Sequence, residues 1–177
     1  MITEFKHGNI FDSTAEVLVN PVNTQGILAG GLAAQFGKEF EHTRYSFYYS
    51  ARCAETDGER YTYIPPYTAK NSRGEHKIIF SLPTMKEPGS PADIELIEIG
   101  LVKLRHYMNN VRPGCTVAIP GLGCGVGGLT YNTFLGLAAP ILTPFGLPKN
   151  FNVEFWLPPD QVKEFTTDNT IYDNHWE

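Results

Sequence analysis

Cysteine is scarce in this 177-residue chain: Cys53, Cys115 and Cys124 are an odd number and show no CxxC spacing. That excludes the disulfide framework of small secreted domains and points to reduced thiols and a cytoplasmic location. Positive charge is also short, with 14 Lys and Arg against 19 Asp and Glu and a net charge of -5. Gripping nucleic acid through its phosphates needs a basic face, so no extended nucleic-acid surface is expected. No apolar run approaches membrane-spanning length, and the start, Met1 to His7, lacks a signal-peptide pattern, so no membrane association is expected. His7, His42, His76, His106 and His175 show no HExxH or paired-ligand spacing, and neither a metal nor another cofactor is expected. Nucleotide fingerprints are missing as well: there is no GxxxxGK followed by Ser or Thr, and Gly121-Leu122-Gly123-Cys124-Gly125 does not fit GxGxxG.

Glycine is plentiful, at 17 residues, and much of it falls in two loops. Asn23-Thr24-Gln25-Gly26-Ile27-Leu28-Ala29-Gly30-Gly31 and Pro120-Gly121-Leu122-Gly123-Cys124-Gly125-Val126-Gly127-Gly128 each follow an apolar run and precede a helical pattern. Glycine lets backbone approach a ligand, and the first N–H groups of the following helix have no partner within it. Two such jaws suit a diphosphate held by backbone dipoles rather than by net charge.

Around the loops, Ile2 to Lys6 alternates like a half-exposed strand, and Ala15 to Val22 contains the buried-strand run Val17-Leu18-Val19. Leu32, Phe36 and Phe40 mark one helical face, continuing towards Phe47 and Tyr48. Asp57 to Gly74 reads as turns and aromatics, and Ile78 to Leu82 as another buried strand. Ser90 is placed to cap a helix that opens at Pro91, with Asp93 near its positive end and Ile94, Ile97, Leu101, Leu104 and Met108 as its buried stripe. Thr116 to Ile119 is a short strand, and Thr130 caps a helix with Phe134, Leu135, Ala138 and Ile141 on one side. Asn152 to Leu157 is the last strand. Tyr45, Phe47, Tyr48 and Tyr49 are read as core packing rather than as base-stacking groups, because no basic cluster accompanies them. The alternation predicts one layered α/β domain over residues 1–165 and a polar tail at 166–177, with ligands bound near the carboxyl ends of the strands.

Taken together, Gly8-Asn9-Ile10, Val17 to Asn23, Ala29-Gly30-Gly31-Leu32 and Ile119 to Gly125 resemble the macrodomain family, over roughly residues 1 to 160. The motif is most similar to the branch of DNA-acting antitoxin macrodomains, whose second loop also reads Gly-Cys-Gly followed by paired glycines. The resemblance implies a three-layer α/β/α sandwich with a mixed, mostly parallel central sheet and a deep cleft for ADP-ribose. It implies Asn9 and Ile10 beside the adenine, Asn23 against the distal ribose, and Ala29, Gly30, Gly31 and Leu32 along one phosphate jaw. Gly121, Leu122, Gly123, Cys124, Gly125, Val126 and Gly127 form the other jaw, and Phe155 or Trp156 flanks the adenine or proximal ribose.

Departures from the family pattern bear more on catalysis than on binding, where Asn9 in place of Asp loosens selectivity for the adenine amino group. Asn9 stands where many members carry Asp, Ala33 where one hydrolytic branch places an acid, and Met85 where another uses lysine. Lys86 is adjacent and is the candidate nucleophile or polarising group, with Asn23 as a residue that orients water. Cys124 is read as packing behind its loop, since no base for its thiol is evident. The expected function is binding of ADP-ribose or a derivative. Hydrolysis of an ADP-ribosyl linkage or of ADP-ribose 1''-phosphate is one extension of it. Non-catalytic reading of ADP-ribosylated partners is the alternative.

Overall fold

Apolar, β-branched residues in an unbroken run favour a strand buried on both faces, and Val17, Leu18 and Val19 are 0%, 1% and 0% exposed. In the computed structural model, which describes residues 3–28, 30–40, 48–53, 64–144 and 150–157, this run opens β2 (Val17–Asn23). β2 lies between β4 (His76–Met85) and β5 (Thr116–Pro120) and is parallel to both. β5 pairs with β6 (Asn152–Leu157), and β6 with β1 (Thr3–His7), again in parallel. β3 (Tyr67–Lys70) closes the far edge antiparallel to β4. The order β1-β6-β5-β2-β4-β3 is the mixed, mostly parallel sheet that was expected.

Alternation along the strands sends successive side chains to opposite faces. Val17, Val19, Phe80, Val117, Ile119 and Val153 meet α2 (Ile94–Asn110) and α3 (Tyr131–Leu142) through Ile97, Leu101, Leu104, Met108, Phe134 and Ala138. Leu18, Ile79 and Ala118 meet Phe36 of α1 (Gly31–Glu39), Phe40 beyond its end, and a 3-10 turn at Ile10–Asp12. Helices thus cover both faces, giving three layers. Each fully buried side chain of this size contributes about 1.5–3 kcal/mol.

Some local expectations are corrected. Asp93, not Ser90, caps α2, accepting the Leu96 N–H at 3.2 Å. The Ser90 hydroxyl instead donates to the Glu87 carbonyl at 2.7 Å and closes a turn. Helix α2 therefore opens at Ile94, three residues past Pro91, and Ile94 is 42% exposed rather than part of the buried stripe. Strand β3 arises inside a stretch read as turns, because pairing with β4 gives Tyr67 to Lys70 a ladder that their own sequence does not specify. Helix α1 ends at Glu39; residues 48–53 are again helical, while Tyr45 and Phe47 lie outside the described residues, as does the expected tail. Tyr49 is fully buried.

Gly100 lets α2 lie close on β4, since a Cβ there would fall 2.4 Å from Leu82 Cγ. Gly100→Ala gains helix propensity but overpacks a fully buried contact, with a net expected loss of roughly 1–2 kcal/mol. Urea denaturation is expected to show a lower midpoint at unchanged slope.

Candidate functional site

Five strands, β1, β2, β4, β5 and β6, run parallel and therefore end at one edge of the sheet. Ligands in open α/β sheets bind beyond such ends, and a cleft of about 800 Å3 opens there. Its walls come from the turn after β1, both glycine loops, the start of α1, the segment after β4, Tyr131 at the start of α3, and the end of β6.

The first jaw is built on Asn23. The pairing of β2 with β4 shifts between Val22 and Asn23, setting Asn23 opposite Met85. Asn23 is 6% exposed, and its side chain shapes the loop that follows. Oδ1 accepts from the N–H groups of Gln25 (2.9 Å) and Ile27 (3.3 Å) and from the Tyr49 hydroxyl (3.2 Å), while Nδ2 donates to the Ile27 carbonyl at 2.7 Å. The Tyr49 hydroxyl also bonds to the Asn23 carbonyl. One Nδ2 hydrogen is left for a ligand, while Oδ1 is already saturated by donors. The jaw ends where α1 begins at Gly31, whose first N–H groups have no intrahelical acceptor.

The second jaw runs from Pro120 to Thr130 and is closed by its own backbone: Cys124 N–H to Gly121 O (3.1 Å), Leu129 N–H to Gly123 O (2.9 Å) and Ala92 N–H to Gly127 O (3.0 Å). Gly123 adopts φ +77°, and a Cβ there would meet Ala92 Cβ at 2.9 Å. At Gly121 a Cβ would fall 2.2 Å from the Tyr131 ring, so the glycine admits that ring to the cleft wall. Thr130 caps α3 through Thr133 N–H at 3.1 Å, as its sequence position predicts.

Of the residues singled out from sequence, Asn9, Ile10, Asn23, Gly30, Gly31, Leu32, Gly121, Gly123, Gly125, Val126, Gly127 and Trp156 line this one cleft. Ala29 lies outside the described residues. Leu122 and Phe155 do not line it: Leu122 is fully buried, and Phe155 packs into the opposite face against Phe5 and Phe134 at 5.7 and 5.9 Å. Strand alternation leaves Trp156 on the cleft side, with its indole N–H on Glu154 Oε2 at 2.9 Å. Cys124 sits behind the loop, its thiol near the Leu122 and Thr130 carbonyls, and burial pushes its pKa up to about 12. Lys86 is exposed and is not among the lining residues; its carbonyl accepts from the N–H and hydroxyl of Thr24. Met85 lines the cleft in its stead. Sequence reasoning missed Thr84, Pro88, Gly89 and Tyr131 as lining residues. Only Tyr131 had a local signal, standing one residue past the cap of the helix that follows the second jaw.

None of the described lining residues is Asp, Glu, Lys, Arg, His or Cys. The field that the described lining residues set up is therefore that of backbone dipoles and helix starts. Among the described residues no cluster of three His, Cys, Asp or Glu could hold a metal, and no helix is long and apolar enough to cross a membrane.

No family model matches the chain. It is 30% identical over 128 residues to the DNA ADP-ribosyl glycohydrolase of Thermus aquaticus, an alignment covering 72% of this chain and 34% of that protein. The chain thus spans about a third of that relative's length. Among solved structures, the macrodomain of Thermus aquaticus DarG superposes with a TM-score of 0.70 at 25% identity, covering 89% of this chain and 99% of that one. Thermosipho africanus DarTG in complex with ADP-ribose gives 0.69 at 24% identity, covering 89% of this chain and 42% of that one.

The thiol environment makes a prediction. Burial also pushes Cys53 up to about 11 from its ordinary 9.0. Burial keeps the Cys124 thiol protonated near pH 8, so Cys124 is expected to resist iodoacetamide in the folded protein and to react on unfolding. Both thiols keep protons that the unfolded chain releases above pH 9, so stability is expected to fall as pH rises from about 9 towards 11–12. Denaturation midpoints of the wild type and of Cys53→Ala/Cys124→Ala across that range check it, the variant being expected to lose less.

Proposed function

The chain belongs to the macrodomain family, and from that premise we propose that its cleft holds the ADP-ribosyl group of a free or attached ligand with no carboxylate, lysine, arginine, histidine or cysteine among its described lining residues to carry out chemistry. The observation behind this reading is the composition of the cleft: two jaws offering backbone N–H groups, apolar walls, and no described charged residue, histidine or cysteine. A diphosphate is then bound by fixed dipoles that need no counter-charge. Asn9 and Ile10 take the adenine beside Trp156, and the remaining Nδ2 hydrogen of Asn23 donates to a hydroxyl of the distal ribose. With Oδ1 committed to the loop, Asn23 is a weak holder of a catalytic water.

Binding of ADP-ribosylated partners follows as the working role, and three cysteines outside any disulfide fit a reducing, cytoplasmic setting. Hydrolysis of an ADP-ribosyl linkage is the second reading. The activity named for the Thermus aquaticus relative supports it, and DNA is the acceptor that name suggests. Met85 and Ala33 weigh against it, because each puts an aliphatic side chain where a proton-transferring or nucleophilic group would stand.

Calorimetry with ADP-ribose is expected to give saturable binding whose Kd changes by less than about threefold between 50 and 300 mM salt, since no ion pair is screened. No binding at millimolar ligand would overturn the reading. On ADP-ribosylated DNA, ADP-ribosylated protein and ADP-ribose 1''-phosphate the wild type is expected to show little release, and Met85→Lys at least about tenfold more on the linkage the cleft accepts. Rapid turnover by the wild type would instead establish the hydrolase.

A further inference from the structure

Glu154 is a carboxylate in a place where strand packing asks for none. It stands on β6 between β1 and β5, is 9% exposed, and shares its face with Trp156 two residues on. Burying a carboxylate is costly unless it is hydrogen-bonded. Here a single oxygen, Oε2, receives two donors: the Ser13 hydroxyl at 2.6 Å and the Trp156 indole N–H at 2.9 Å. Ser13 is 3% exposed and belongs to the turn after β1, its N–H donating to the Ile10 carbonyl at 3.0 Å and its hydroxyl oxygen accepting the Ala15 N–H at 3.0 Å. At the start of that turn, Asn9 Oδ1 accepts the Phe11 N–H at 3.0 Å. Two cleft walls, the Asn9–Ile10 turn and the Trp156 ring, are therefore tied together through one buried oxygen.

The tie also decides what the cleft meets. With its only polar atom turned onto Glu154, the indole offers carbon surface alone. A flat ring set at fixed distance from a turn carrying an amide side chain is a receptor for a planar heterocycle, with little to offer a phosphate. We propose that Glu154 is a positioning residue, setting the Trp156 ring and the Asn9–Ile10 turn at the separation that admits the nucleobase end of the ligand. This deepens the ADP-ribose reading and rests on it.

Two readouts separate this role from mere stability. In a Trp176→Phe background Trp156 is the single tryptophan, and Glu154→Ala is expected to red-shift its emission and roughly double its acrylamide quenching in ligand-free protein, with Glu154→Gln restoring both. That readout needs no ligand and so stands apart from any failure of ADP-ribose to bind. For binding, Glu154→Ala is expected to raise the ADP-ribose Kd at least about fivefold and the inorganic pyrophosphate Kd less than twofold. In a Trp156→Phe background the same change is expected to cost less than twofold for ADP-ribose. Glu154→Leu, which refills the volume, serves the same test should the alanine variant not fold. Unchanged Trp156 emission in Glu154→Ala, or equal losses for ADP-ribose and pyrophosphate, would overturn the assignment.

Discussion

The double pairing of β2 is the constraint on which the rest of the molecule depends. Held in parallel by β4 on one side and β5 on the other, it brings Asn23 level with the exit of β4, opposite Met85. The one-residue slip at Val22 and Asn23 then turns the chain into the first jaw. Because parallel strands exchange no short hairpins, each exit must lead into a loop and a helix on a covering layer. Those loops are the cleft. Anchoring them is a task for the polar groups near the strand ends: buried Asn23 with Tyr49, buried Thr24 with the Lys86 carbonyl, and half-buried Asp93 at the start of α2.

A cleft lined in this way offers donors to an anion with no charged side chain among its described lining residues. Backbone N–H groups held by glycine loops and a helix start form a fixed electrostatic surface that needs no lysine or arginine, which accords with a chain of net charge -5. Their orientation is set on folding, so an anion held there would have few side-chain rotamers to freeze. The same construction limits chemistry. Neither a thiol held near 12 nor an exposed lysine outside the wall supplies a proton donor or nucleophile inside it.

Much of the architecture was legible in residue order. Val17 to Val19, Ile78 to Leu82 and Thr116 to Ile119 carry apolar runs too short for helices, and Ile97, Leu101, Leu104 and Met108 step at helical spacing, so strands and helices could be told apart locally. The glycine loops announced the cleft for the same reason, since their flexibility is intrinsic. Strand β3 was not legible, because its pattern acquires meaning only opposite β4. Ser90 and Asp93 are both good caps by composition. The turn closed by Ser90 on Glu87 and the Asp93 N–H bonded to the Thr84 carbonyl leave that role to Asp93.

Residue order by itself thus determined the alternating α/β class, the two glycine-bearing jaws and the net charge of -5, all of which follow from local periodicity, glycine freedom and charge count. Tertiary structure decided which neighbours face the cleft: Trp156 rather than Phe155, Met85 rather than Lys86, and an Asn23 amide largely spent on its own loop. It alone joined Glu154 to Ser13, 141 residues apart in the chain. The physical reason is common to these cases. A side chain's propensity is its own, whereas its burial and its hydrogen-bond partners belong to whichever distant segments fold against it.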